Sequence, residues 1–210
     1  MSPPDTPWVA AAAAVVLVVV PQVWHATRHL VTLVHEAGHA VIAVLTGRRL
    51  NGIRLHTDTS GLTVSSGKPR GPGMIATAAA GYLAPSALGL GSVALVEREH
   101  TDWALYAGLA TLAMMLVYIR NWFGLLVVAV SGAAVGILIW RAPTHTQDLA
   151  ALTFAWFLLI AAPRTVLDLW SHRRRVRSRT TDADVLARLT HLPATLWNVI
   201  FLVLTAAALA

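Results

Sequence analysis

The chain has 210 residues, of which 56% are hydrophobic and only 12% charged, and its mean hydropathy is +0.63. A soluble domain of this length carries about 25% charged residues, so composition excludes an ordinary water-soluble fold and leaves one integral membrane domain, without room for a large soluble module. The net charge of +6 sits at the ends of apolar stretches, which fits an anionic membrane surface rather than nucleic acid, and the absence of cysteine restricts any metal to His, Asp or Glu ligands.

A bilayer core takes about 20 apolar residues per helix. The apolar runs predict an all-α polytopic protein with seven spans, at 8–24, 29–46, 74–96, 103–119, 122–140, 149–169 and 193–210. Six spans result if the first two, or the fourth and fifth, are one kinked helix. Met1 to Pro7 contains no Lys or Arg, so residues 8–20 read as a retained first span and not as a cleaved signal. Basic residues favour seven spans. Loop 47–73, Arg120 and loop 170–192 (Arg173, Arg174, Arg175, Arg177, Arg179 and Arg188) then share one face, and the positive-inside rule places that face and the N-terminus in the cytoplasm.

The second span contains His35-Glu36-Ala37-Gly38-His39 between Leu30–Val34 and Ala40–Leu45. Residues i and i+4 lie on one helical face, so His35 and His39 can both turn imidazole nitrogens to one metal ion. Glu36 can then reach a metal-bound water and act as general base, the mechanics of an H-E-x-x-H metalloprotease helix. A charge at mid-bilayer costs on the order of 3 kcal/mol on insertion scales, which makes three titratable groups in five residues a poor way to fill a span. The competing readings are a polar interhelical cluster, a metal-binding scaffold, or a transporter that relays metal through histidines. Neither of the last two needs a carboxylate beside the first ligand. His25 and His29 share a face just before the motif and read as interfacial polar residues, while His56, His100, His145, His172 and His191 have no ligand-like spacing.

After the motif, residues 50–66 alternate apolar and polar around Thr57-Asp58-Thr59-Ser60-Gly61, which predicts a short β-hairpin on the cytosolic side. Its exposed edge is expected to receive an unwound substrate strand by β-augmentation. Asp58 reads as a turn residue. The third span contains Ala78-Ala79-Ala80-Gly81-Tyr82, followed by Gly89 and Gly91. Small residues let helix backbones approach closely in lipid, so this span is expected to pack tightly, on the His35–His39 helix if it also shapes a substrate cleft.

His35-Glu36-Ala37-Gly38-His39-Ala40 with Thr46-Gly47 and a following hairpin resembles the site-2 protease family of intramembrane zinc metalloproteases. Ile53-Arg54-Leu55-His56, Gly71-Pro72-Gly73, Ala80-Gly81-Tyr82, and a C-terminal segment with Thr181-Asp182-Ala183-Asp184, Pro193 and Trp197 are similar to its compact bacterial members. The resemblance covers most of the chain. It implies a bacterial plasma-membrane enzyme that cleaves peptide bonds in or near transmembrane segments of membrane-protein substrates, with Zn2+ as cofactor. It also implies a third ligand, an Asp from a later span in a Leu-Asp-Gly context. The nearest match is Val166-Leu167-Asp168-Leu169, which lacks the glycine, and Asn121 is the nearest counterpart of the family's Asn-Pro pair. The expected metal ligands are therefore His35, His39 and Asp168. Asp182 and Asp184 are the alternatives, and they compete with a role for Thr181 or Asp182 as a helix cap.

Overall fold

The computed structural model describes residues 6–175 and 180–210, without the side chains of 172–175. Met1–Asp5 and the arginine run 173–179 lie outside these described residues and side chains. The elements are α1 (Thr6–Val19), α2 (Pro21–Leu45), β1 (Arg49–Leu55), β2 (Gly61–Ser66), α3 (Pro72–Glu97), α4 (Thr101–Tyr118), α5 (Trp122–Arg141), α6 (Thr144–Arg175), α7 (Asp182–Thr190) and α8 (Ala194–Ala207).

Four of these helices, α3, α4, α5 and α6, are long and apolar enough to cross a membrane by themselves. Two bent pairs, α1 with α2 at 101° and α7 with α8 at 118°, raise the number of candidate spans to six. The described helices thus reach the alternative count of six and not the expected seven. The first bend falls at Val20, where Pro21 begins α2: proline lacks the N–H that would continue α1 but suits the first turn of a new helix. In the second, Pro193 separates α7 from α8. The break at Arg120 and Asn121 between α4 and α5 is where the sequence placed it. Counted as one span, the α1–α2 pair keeps loop 47–73, Arg120 and loop 170–192 on one face but moves the N-terminus to the other. The basic loops therefore do not favour seven spans over this six, and the cytoplasmic N-terminus expected from seven does not follow.

The long helix α3 lies at the centre of the bundle, against α2, α4, α6, α7 and α8. Its small residues have the packing role expected of them. A Cβ on Gly38 of α2 would come 2.4 Å from the Ala84 methyl and 2.9 Å from the Ala80 carbonyl. Three apolar clusters surround this contact: one from α2, β1, α4 and α5 around Ile53 and Met115; one from α1, α2 and α6 around Phe157; one from α3, α6, α7 and α8 around Phe201. The exposed side chains of α5, including Trp122, Leu126, Val130, Ile137 and Trp140, suit lipid.

The hairpin forms, one residue longer than expected at its start, but it does not stand beyond the end of α2. It folds back along that helix. The Thr32 hydroxyl donates to the Thr59 carbonyl at 2.8 Å, and Thr63 meets Glu36 four residues further along α2. Strand pairing is antiparallel, with Ile53 opposite Thr63, Leu55 opposite Gly61, and a register shift between Leu50 and Gly52. Asp58 holds the turn, accepting from the Ser60 hydroxyl at 2.6 Å and its N–H at 3.0 Å. Those bonds hold its carboxyl below the ordinary carboxylate range.

Candidate metal centre

Helical periodicity places His35 and His39 on the α2 face that meets α3. Their Nε2 atoms stand 3.0 Å apart. A third ligand-type atom completes a triangle: Asp182 Oδ2 lies 3.1 Å from His35 Nε2 and 3.2 Å from His39 Nε2. Among the described residues these three form the one group of His, Asp or Glu with ligand atoms gathered for a metal ion. A tetrahedral site with bonds of about 2.0–2.1 Å has ligand–ligand edges of about 3.3–3.4 Å, so the triangle is close to one face of such a site.

Two further features fit the group to a metal. His39 Nδ1–H donates to the Thr77 carbonyl at 2.7 Å, which fixes the tautomer and leaves the Nε2 lone pair facing the triangle. Gly81 leaves the necessary space. A Cβ built on it would lie 2.4 Å from His39 Nε2 and 2.5 Å from His35 Nε2, close to where a shared ion would sit. Behind the pair, the Tyr82 ring meets His35 edge-on at 4.7 Å and stacks on Phe201 at 5.2 Å. This wall shields one side, and the ligand-type side chains are 10–26% exposed.

Asp182 arrives through local capping chemistry. Thr181 is the N-cap of α7, and Asp184 closes a capping box by accepting from the Thr181 hydroxyl at 2.6 Å and its N–H at 3.1 Å. That commits Asp184 to the helix end. Asp182, the first helical residue, is left to face the histidines.

Asp168, the third ligand expected from sequence, is not among the ligand atoms gathered here. Its carboxylate is 3.4 Å from the Arg28 guanidinium. Arg28 lies two turns before His35 on α2, roughly 10 Å along the helix. The ion pair ties α6 to α2 at that level, and a side chain engaged there is at the wrong height for His35 and His39. Arg164, one turn before Asp168 on α6, lies over the Trp24 ring at 4.4 Å.

Glu36 is 4% exposed and points to the hairpin. Its Oε2 accepts from the Thr63 hydroxyl at 2.6 Å. Gly61 borders the other oxygen so closely that a Cβ there would come 2.4 Å from Oε1. Sequence reading missed Thr63, Thr77, and the steric roles of Gly61 and Gly81. The two glycines were visible only as a turn residue and a packing residue. Asn121 also has a firm structural place: its amide donates to the Leu55 carbonyl at 2.6 Å and accepts from the Leu55 N–H at 3.2 Å. A cavity of about 750 Å3, lined by residues such as Glu97, Asp102, Asp148 and Trp156 at the far end of α3, does not touch this cluster.

A family model described as Peptidase M50B-like matches residues 8–210. The chain belongs to the Peptidase M50B-like family. Membership places it among the site-2 proteases, as the motif suggested, and implies an integral membrane metallopeptidase with the His and Asp group as its possible metal site. No curated protein and no solved structure matches the chain.

Proposed function

We propose that this M50B-like protein is an intramembrane zinc endopeptidase that hydrolyses peptide bonds in or beside transmembrane segments of membrane-protein substrates. The observation that supports this most is the convergence of His35 Nε2, His39 Nε2 and Asp182 Oδ2 within 3.2 Å, with a buried Glu36 one residue from the first histidine. Two nitrogens and one carboxylate oxygen suit zinc and leave a fourth position open. When bound, zinc supplies a Lewis acid that acidifies water and polarises a carbonyl. Glu36 takes the proton from the attacking water and returns it to the departing amine. His35, His39 and Asp182 hold the ion, and Thr77 keeps His39 in the ligating tautomer. A metal-binding scaffold or transporter has no use for a carboxylate set beside the ligands in this way.

The test is Glu36→Gln, assayed in detergent or vesicles on a synthetic single-span peptide with a fluorophore and quencher flanking its membrane segment. The variant should keep one equivalent of zinc and lose cleavage by about 1,000-fold or more, a general-base contribution of the upper usual size. Undiminished cleavage would refute the mechanism.

A substrate helix hides its peptide bonds and must unwind to be cut. The hairpin's outer edge is suited to hold the unwound strand. On β1, Ile53 and Leu55 turn their backbone groups away from β2: the Arg120 N–H donates to the Ile53 carbonyl at 2.9 Å, and Asn121 closes on Leu55. Antiparallel alternation then turns the backbone groups of their partners, Gly61 and Thr63, outward at the β2 edge. Those are the two residues that flank Glu36. Backbone N-methylation of the peptide substrate at every second residue should suppress cleavage in one phase and spare it in the other. Equal rates in both phases would exclude strand pairing.

A further inference from the structure

We infer that Thr63 is a positioning residue for Glu36, so that strand β2 sets the geometry of the general base. The inference rests on the functional reading above.

Glu36 has three rotatable bonds and sits where its carboxylate could adopt several directions. Thr63 Oγ1–H donates to Glu36 Oε2 at 2.6 Å, within the short range of charge-assisted O–H···O bonds, and is 3.2 Å from the Glu36 main-chain carbonyl. The hydroxyl's single proton is directed to the carboxylate, the shorter contact, with the main-chain carbonyl beside it. Gly61, two positions earlier on the same strand, borders Oε1, Cγ and Cδ at separations that leave no room for a methyl group. One oxygen is engaged by Thr63, and the other is left for water. The hairpin is held on two sides at its turn end: Thr32 pins the turn to α2, and Asn121 pins Leu55, the last residue of β1, to the α4–α5 junction. A base fixed in advance spends no part of the barrier on rotor ordering.

The alternative is that Thr63 merely fastens the hairpin to α2. The two roles separate experimentally. Thr63→Val keeps the shape and removes the donor, and Thr63→Ser restores it. With the same single-span peptide, Thr63→Val should lower kcat on the order of 10- to 100-fold, the size of a lost hydrogen bond to a charged group. KM should stay within about twofold, a kcat-against-KM split. Zinc content and melting temperature should match the parent, and Thr63→Ser should recover most of the rate. In the Glu36→Gln background, Thr63→Val should cost nothing more, because the group it orients is gone.

A Thr63→Val protein with parental kcat overturns the inference. So does one that loses zinc or melts early, since that makes Thr63 a fastener. So does a Thr63→Ser protein as slow as Thr63→Val. Cleavage that survives Glu36→Gln instead overturns the functional reading beneath it, so the two failures are distinguishable.

Discussion

Gly81→Ala should yield a folded protein that retains no zinc and cleaves nothing. The added methyl carbon would lie 2.4 and 2.5 Å from the two histidine nitrogens, where contact with an atom not bonded to them requires more than 3 Å. It would occupy the place where the ion must sit. On backbone grounds the change is favourable, because alanine in a helix interior is preferred over glycine by about 1 kcal/mol. Loss of function from general unfolding would therefore be the unexpected outcome. The measurements are zinc per mole of purified protein, helical circular dichroism, and cleavage of the single-span peptide. A Gly81→Ala protein that carries one equivalent of zinc and remains active would mean that the histidines do not bind their ion on the α3 side.

Asp182→Ala and Asp168→Ala should behave oppositely. Removing Asp182 leaves two imidazoles to hold a metal, and zinc affinity should fall by roughly 100-fold or more, beyond the usual effect of a supporting residue. Cleavage should vanish with the metal. Removing Asp168 opens an ion pair with Arg28 in which both side chains are about one-third exposed. Such pairs contribute about 1 kcal/mol or less, so zinc should stay and the melting temperature should move little. Competition with a chelator of known affinity, run on both variants in parallel, gives the answer. Zinc loss in Asp168→Ala alone would restore Asp168 as the ligand and displace Asp182, and equal loss in the two would overturn the separation of their roles.

These two aspartates mark how far the sequence could be read. His35, Glu36 and His39 were legible because five consecutive residues on one helix have a fixed geometry, and because charges inside an apolar run cost too much to be idle. The hairpin was legible from its period-2 alternation. Asp168 was chosen because it lies near the end of an apolar span in a partly matching context. What decided against it was its neighbour on α2, Arg28, which no spacing rule predicts. Thr181 or Asp182 was expected as the helix cap, and the structure makes it Thr181, with Asp184 closing the box. Its consequence, that satisfying the cap frees Asp182 to turn toward α2, depends on where α7 sits against α3.

The sequence by itself determined a membrane protein, the helix that bears two histidines and a carboxylate, the hairpin after it, and a family likeness that the match over residues 8–210 bears out. Each of these rests on local periodicity, composition or short-range spacing. Only the tertiary structure decided that the hairpin returns along α2, that Asp182 and not Asp168 meets the histidines, and that Gly81 and Gly61 leave space for an ion and a base. Those outcomes depend on contacts between residues tens to more than a hundred positions apart. Chain order alone does not fix which surfaces of separate helices will face one another.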